Sequence, residues 1–178
     1  MFDHPPHPIF VHFTVALTLT GIFCYFIGKI IKRPNLSGDL ITSSYWMIFL
    51  STAATIFTII TGFLQFDAVT HDAGSHLAMV NHRNWALGTS TILLIAAIWA
   101  LINYQKKTSS GIFFPILLIF LLGAVSITAY KGGNLVYKYG LGVKSIPELR
   151  ELNKESSTGS HENILESSEH EHNHGHAH

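Results

Sequence analysis

The sequence contains little charge and almost no cysteine. Only 12% of its 178 residues are charged, whereas an ordinary soluble domain carries roughly 25%. Lysine and arginine total 11 and are balanced by 11 aspartate and glutamate residues, so no basic field indicates a nucleic-acid partner. The single cysteine, Cys24, lies in an apolar run and excludes an internal disulfide. The chain is 48% hydrophobic, which together with the low charge predicts an integral membrane protein in contact with the lipid bilayer.

Four apolar runs are long enough to cross a hydrocarbon core of about 30 Å, which takes about 20 helical residues. They predict an all-α fold, an integral membrane four-helix bundle formed by residues 1–144. The predicted helices cover residues 9–31, 45–66, 85–104 and 112–130. From about residue 145 the chain is rich in glutamate, serine, asparagine and histidine, which predicts a polar, mostly disordered, His-rich C-terminal tail over 145–178.

Basic residues favour one orientation of this bundle. Lys29, Lys32 and Arg33 follow the first run, and Lys106 and Lys107 lie between the third and the fourth. Loops rich in lysine and arginine tend to remain in the cytoplasm. We therefore expect both termini and the loop between the second and third helices on the outside.

Stripes of small and polar residues predict the faces that pack inside the bundle, because membrane helices associate through close packing and shared hydrogen bonds. In the second run the stripe consists of Ser51, Thr55, Thr58, Gly62 and Gln65. In the third it consists of His82, Ala86, Thr89, Leu93, Ala96 and Ala100. In the fourth it consists of Gly123, Ser126, Tyr130 and Gly133.

The first run has two opposite faces, one with His12, Ala16, Leu19 and Phe23 and the other with Thr14, Thr18, Gly21, Tyr25 and Gly28. If His12 points into the bundle, the threonine and glycine face remains available for a homodimer.

After the fourth apolar run, Gly132 and Gly133 predict a sharp exit of the chain from the fourth helix. Leu135 to Tyr137 then predict a segment at the membrane interface.

Histidines gather at one membrane face, before the first run, after the second and at the start of the third. Prolines between His4 and Pro8 favour an extended backbone there, and His12 follows about one helical turn after Pro8. These histidines are candidate ligands of a metal site in the bundle: His4, His7, His12, His71, His76 and His82. The tail offers a weaker site for copper or zinc at His170, His172, His174, His176 and His178.

The residues alone allow three functions for these histidines. Imidazoles from two facing helices can ligate a haem iron on both sides. Three or more histidines can instead bind zinc or copper. The spacing matches no tight zinc signature such as His-Glu-x-x-His, which favours electron transfer or metal binding over hydrolysis. In the third alternative the imidazoles form only hydrogen bonds, and the protein is a ligand-free membrane interaction subunit.

Two terminal motifs resemble a known family. The first is His7-Pro-Ile-Phe-Val-His12-Phe, and the last is Gly132-Gly-Asn-Leu-Val-Tyr-Lys-Tyr-Gly-Leu-Gly-Val143. Together with His82 they are similar to the bacterial membrane domain called domain of unknown function 2231, over roughly residues 7 to 143. The family commonly has a histidine where this chain has Tyr139. The resemblance implies a four-helix membrane fold in the bacterial inner membrane and, because relatives are sometimes joined to iron–sulfur or cytochrome c-like domains, a redox role.

We therefore expect a b-type haem protein for electron transfer, with a redox partner protein. His7 or His12 would ligate the iron on one side and His82 on the other, while Arg83 or Lys131 would pair with the haem propionates. The alternative is a protein that handles copper or zinc, in which the tail collects the metal and passes it to His4, His7 and His12.

Overall fold

The computed structural model describes residues 7–68, 73–106 and 111–141. Within these ranges it contains four helices and no strand: α1 (His7–Ile30), α2 (Pro34–Ala68), α3 (Ala73–Lys106) and α4 (Phe113–Tyr137). Each helix is long and apolar enough to cross a membrane. The predicted all-α membrane bundle is confirmed. The tail, residues 145–178, lies outside the described residues, so its predicted disorder and its boundary stay predictions.

Two helices begin well before the residues predicted from the apolar runs. α2 begins at Pro34 rather than near 45, and α3 begins at Ala73 rather than near 85. Pro34 suits the first position of a helix, where its missing N–H leaves no bond unmade, and Ser75 and Met79 in the early part of α3 are buried. With 35 and 34 residues, these helices are about 50 Å long and extend beyond a hydrocarbon core of about 30 Å.

The helices pack in a closed ring. α1 contacts α2, α2 contacts α3, α3 contacts α4, and α4 contacts α1. Therefore α1 and α3 stand diagonally across the bundle, as do α2 and α4. The closest approach is between α1 and α2, where glycines admit the neighbouring helix: a Cβ on Gly28 would lie 3.0 Å from Cγ1 of Ile41, and one on Gly21 would lie 3.2 Å from Cβ of Met47.

The inward face of α1 is the one with threonines and glycines. Thr18, Gly21, Tyr25 and Gly28 are buried, whereas His12 and Ala16 are exposed. The expectation that His12 points into the bundle is therefore wrong. The face that was to form a homodimer is covered by α2 of the same chain, so the argument for a dimer loses its basis.

α4 differs from its prediction in two respects. Gly123, Ser126 and Tyr130 are exposed, so the predicted inward stripe is wrong; the inward face instead carries Phe114, Leu118, Leu121 and Val125. Gly132 and Gly133 do not end the helix, which continues to Tyr137. A later glycine, Gly140, has a φ of 65°, and its N–H donates to the Val136 carbonyl at 2.9 Å. A left-handed glycine is a common helix stop.

The two ends of the bundle differ in chemistry. Near the loop with Lys29 and Arg33 the core is aromatic: the ring centroid of Phe114 lies 5.2 Å from that of Tyr25, 6.0 Å from that of Tyr45 and 6.0 Å from that of Trp99. Towards the opposite end, buried hydroxyls and imidazoles replace these rings. Polar groups in a membrane bundle are costly unless they are partnered, so this end is where a functional site is to be sought.

Candidate functional site

His7 opens α1 and packs against α2. Its Nδ1 lies 3.1 Å from the carbonyl oxygen of Thr58 and 3.2 Å from Oγ1 of Thr61. A carbonyl can only accept, so Nδ1 carries the proton and Nε2 of the neutral ring keeps its lone pair. The ring edge rests on Gly62, where a Cβ would lie 3.0 Å from Cε1 of His7. This is how a protein commonly holds a histidine that ligates a metal, with the other ring nitrogen bound to a carbonyl.

His82 packs against α4 in the same manner. A Cβ on Gly132 would lie 3.0 Å from Cε1 of His82, and the carbonyl of Thr128 interacts with the ring. Nδ1 of His82 is buried with no hydrogen-bond partner in the part of the chain that the structure describes. His7 and His82 lie on helices that do not contact each other directly, α1 and α3. Each imidazole of this pair thus packs against a glycine of the neighbouring helix in its own hairpin.

These two arrangements belong to an internal repeat, in which the α3–α4 hairpin repeats the α1–α2 hairpin. Thr14 follows His7 by two helical turns and bonds to Thr58 through their hydroxyls at 3.0 Å. Thr89 follows His82 by the same interval and bonds to Thr128 through their hydroxyls at 2.8 Å. In both hairpins the glycine under the imidazole lies one turn after the threonine on the second helix.

The burial pattern extends the repeat along the bundle. The buried residues of α1 are Thr18, Gly21, Ile22, Tyr25 and Gly28, and their counterparts at the same intervals from His82 are also buried, namely Leu93, Ala96, Ala97, Ala100 and Asn103. Such a repeat in a ring of helices is what a two-fold axis along the bundle generates. His7 and His82 are therefore equivalent positions on either side of that axis.

The repeat is broken where charge and polarity enter. Lys131 occupies the position that Thr61 has in the first hairpin, and its ammonium lies 5.7 Å from the ring centroid of Trp85. Gln65 occupies the position that Leu135 has in the second hairpin, and its Oε1 is buried without a hydrogen-bond partner among the described residues. This end of the bundle thus holds a positive charge and two buried polar atoms, Oε1 of Gln65 and Nδ1 of His82, that find no partner within the described ranges.

The other predicted residues do not join this pair. His12 is exposed and its Nδ1 donates to the Pro8 carbonyl of its own helix at 2.6 Å. His76 is exposed, and its ring centroid lies 5.8 Å from that of Phe66. The Arg83 guanidinium lies over Phe66 at 5.1 Å. His4 and His71 lie outside the described residues, as do the tail histidines, namely His170, His172, His174, His176 and His178.

A metal site with three or more ligands is not formed by the described residues, which contain no group of three His, Cys, Asp or Glu side chains able to hold an ion. Zinc sites in proteins use at least three such ligands. The prediction of a zinc or copper site therefore depends on histidines outside the described ranges and stays a prediction.

Both histidines were identified from the sequence, but the residues that hold them were not. These are Thr58 and Thr128, and Gly132, against which the ring of His82 packs. A signal was present. A histidine followed after seven residues by threonine occurs in α1 and α3, and a threonine followed after four by glycine occurs in α2 and α4. The unequal loops between the helices hide this repeat from a search at one fixed period.

Comparison with known proteins gives one match. The family described as predicted membrane protein, DUF2231, matches residues 3–145. No curated protein and no solved structure matches the chain.

Proposed function

The chain belongs to the DUF2231 family of predicted membrane proteins, and from its paired imidazoles we propose that it is a membrane-embedded b-type haem protein that transfers electrons. The observation that carries the proposal is the matched seating of His7 and His82. Each ring packs against a glycine. Nδ1 of His7 donates to the Thr58 carbonyl, so Nε2 of that ring keeps its lone pair for a ligand, and we assign the equivalent position, His82, the same role.

Two imidazoles suit a haem iron better than a free metal ion. Haem supplies four equatorial nitrogens and needs only two axial ligands from the protein, whereas a zinc ion needs at least three from the side chains. The described residues contain no group of three such side chains, whereas the internal repeat offers two equivalent imidazoles, His7 and His82. When bound, the haem would supply one-electron redox chemistry, and the chain would supply ligation and a surround with little water.

The charged residues of the site complete the proposed roles. Lys131 lies in α4 directly before Gly132, the glycine against which His82 packs, and it would pair with a propionate. Arg83 lies beside His82 in sequence, at the contact between α3 and Phe66 of α2, and would serve a second propionate. A redox partner protein would meet the bundle at this end, where the histidine pair is nearest the membrane surface.

The test is the haem content of purified protein in His7→Ala and His82→Ala variants. Both should lose most of their haem, because each removes one axial ligand. His12→Ala is the matched control, since it removes an exposed imidazole from the same helix, and it should retain haem at the wild-type ratio.

Misfolding is separated from loss of ligation by adding imidazole to the His82→Gly variant. A recovered spectrum of haem with two nitrogen ligands would show that the fold and the cavity persist. Haem retained in full by both single variants would contradict the proposal. Stoichiometric copper or zinc without haem would support the metal-handling alternative, and neither cofactor would support a ligand-free interaction subunit.

A further inference from the structure

A groove runs along the outer side of the contact between α3 and α4, and we propose that it binds the head group of a membrane quinone. The α3–α4 groove has a volume of about 410 Å³ and is lined by Asn81, Asn84, Trp85, Gly88, Ile92 and Phe120, with Thr89 and Ala124 at its floor. This volume is within the range of about 300–1,000 Å³ found for small-molecule sites. Binding is inferred from the groove itself, and only its role as electron donor or acceptor rests on the proposed function.

The residues that line this groove differ between the two hairpins of the internal repeat. The counterparts of Trp85 and Gly88 in α1 are Phe10 and Phe13, and the ring of Phe10 stacks on Phe57 at 5.6 Å. A Cβ on Gly88 would meet nothing within 4 Å. Where the first hairpin carries a phenylalanine ring, the second therefore carries open space between two aromatic walls.

The lining suits a flat ring with carbonyl oxygens. Trp85 and Phe120 supply aromatic surfaces for stacking. Asn81 and Asn84 supply amide N–H donors at the end of the groove nearest the membrane surface, and the Lys131 ammonium lies over the Trp85 ring at 5.7 Å. Donors of this kind pair with quinone oxygens. Ile92 and Phe120, deeper in the spans, would receive the start of an apolar tail.

The groove also adjoins the histidine pair. Thr89 forms part of its floor and donates to the Ala124 carbonyl at 3.3 Å, and its hydroxyl bonds to that of Thr128. The carbonyl of Thr128 interacts with the ring of His82. A quinone in the groove would thus be separated from the imidazole pair by a single hydrogen-bonded layer.

Photolabelling tests the site on the full chain in lipid nanodiscs, with an azido-substituted benzoquinone carrying a decyl chain as the probe. We expect saturable labelling that maps to residues 81–92 and is competed by the same quinone without the azide. Gly88→Phe should lower the probe's affinity at least tenfold, because it places in the groove the ring that the first hairpin has at Phe13. Ala16→Phe, which introduces the same ring at an exposed position of α1, should leave labelling unchanged.

Two further outcomes decide the inference if Gly88→Phe does not fold. Asn81→Ala and Asn84→Ala alter exposed side chains and should each weaken labelling. Three outcomes would overturn the quinone site and indicate that bilayer lipid fills the groove. They are labelling that does not saturate, labelling that phospholipid alone displaces, and labelling that persists in all three variants. If purified protein contains no haem but is still labelled saturably, the quinone site stands and the proposed haem function fails.

Discussion

The Cα of Gly132 faces the edge of the His82 imidazole so closely that a Cβ there would lie 3.0 Å from Cε1. Gly62 and His7 show the same relation at the same distance. A glycine in a helix costs about 1 kcal/mol of stability relative to alanine. Because a glycine lies under each imidazole, we infer that close packing of the ring offsets this cost. The predictions below follow from this pair of seats and from the repeat that contains it.

Gly132→Ala should displace His82 and weaken haem retention. The added methyl group would force the ring or the helix to move, and overpacking of this kind typically costs about 1–3 kcal/mol, which exceeds the helix propensity gained. Gly133→Ala is the control, because a Cβ on Gly133 meets nothing within 4 Å; it should stabilise the helix slightly and retain haem. The measurement is the haem-to-protein ratio together with the midpoint of unfolding. Equal behaviour of the two variants would refute the seating role.

Thr89→Val should destabilise the bundle by about 0.5–1.7 kcal/mol, the range found for hydrogen bonds between membrane helices. It removes the bond to the Thr128 hydroxyl at 2.8 Å and the one to the Ala124 carbonyl. Thr91→Val removes only a bond to the Leu87 carbonyl of its own helix, at an exposed position, and should change little. Unfolding of both variants in mixed micelles by added dodecyl sulfate measures the difference. A larger loss in Thr91→Val would contradict the inward placement of Thr89.

A disulfide between α1 and α2 should form within one chain. The position of a Cβ on Gly21 lies 3.2 Å from Cβ of Met47, near the separation of about 3.5–4.5 Å that a disulfide needs. In a Cys24→Ala background, Gly21→Cys with Met47→Cys should therefore oxidise to a monomeric species with altered gel mobility. Ala16→Cys with Met47→Cys should not, since Ala16 is exposed. Covalent dimers joined through position 21 would instead show that this face of α1 contacts a second chain and is not covered by α2.

Lys131→Gln should lower the reduction potential of the haem. A positive charge near the iron favours the reduced state, and at a separation of ~10 Å with an effective dielectric constant of ~20 its effect is on the order of 1 kcal/mol, or tens of millivolts. Lys138→Gln is the control, because Lys138 lies over the ring of Tyr139 at 5.6 Å. Redox titration followed by absorbance measures both. A potential unaffected by Lys131→Gln would remove this lysine from the surroundings of the haem.

The number and type of the helices could be predicted from the sequence because the cost of exposing backbone to lipid demands long apolar helices. The inward stripes of α2 and α3 were also predictable, since Ser51, Thr55 and Thr89 are buried as their spacing requires. Histidines at one end of the bundle were found from residue type alone, and among the described residues His7 and His82 are the two that pack against a glycine of the neighbouring helix.

The inward faces of α1 and α4 could not be predicted because lipid accepts apolar surface on every side. Phe23 and Tyr130 are exposed, although in a soluble protein their rings would mark the core. Gly132 was read as the end of a helix because glycine is permissive alone, whereas in the bundle it is the contact with His82 that requires it. Only the packing of α4 against α3 reveals that role.

The most direct measurement is the absorption and low-temperature electron paramagnetic resonance spectrum of the full chain, purified in detergent after adequate haem supply and washed with a chelator to remove metal from the tail. If His7 and His82 ligate a haem, we expect one haem per chain, with a Soret band, a sharp α band on reduction and the ferric low-spin signal of two imidazole ligands. A colourless protein, or a ferric high-spin haem with one axial ligand, would contradict the claim that His7 and His82 share one iron.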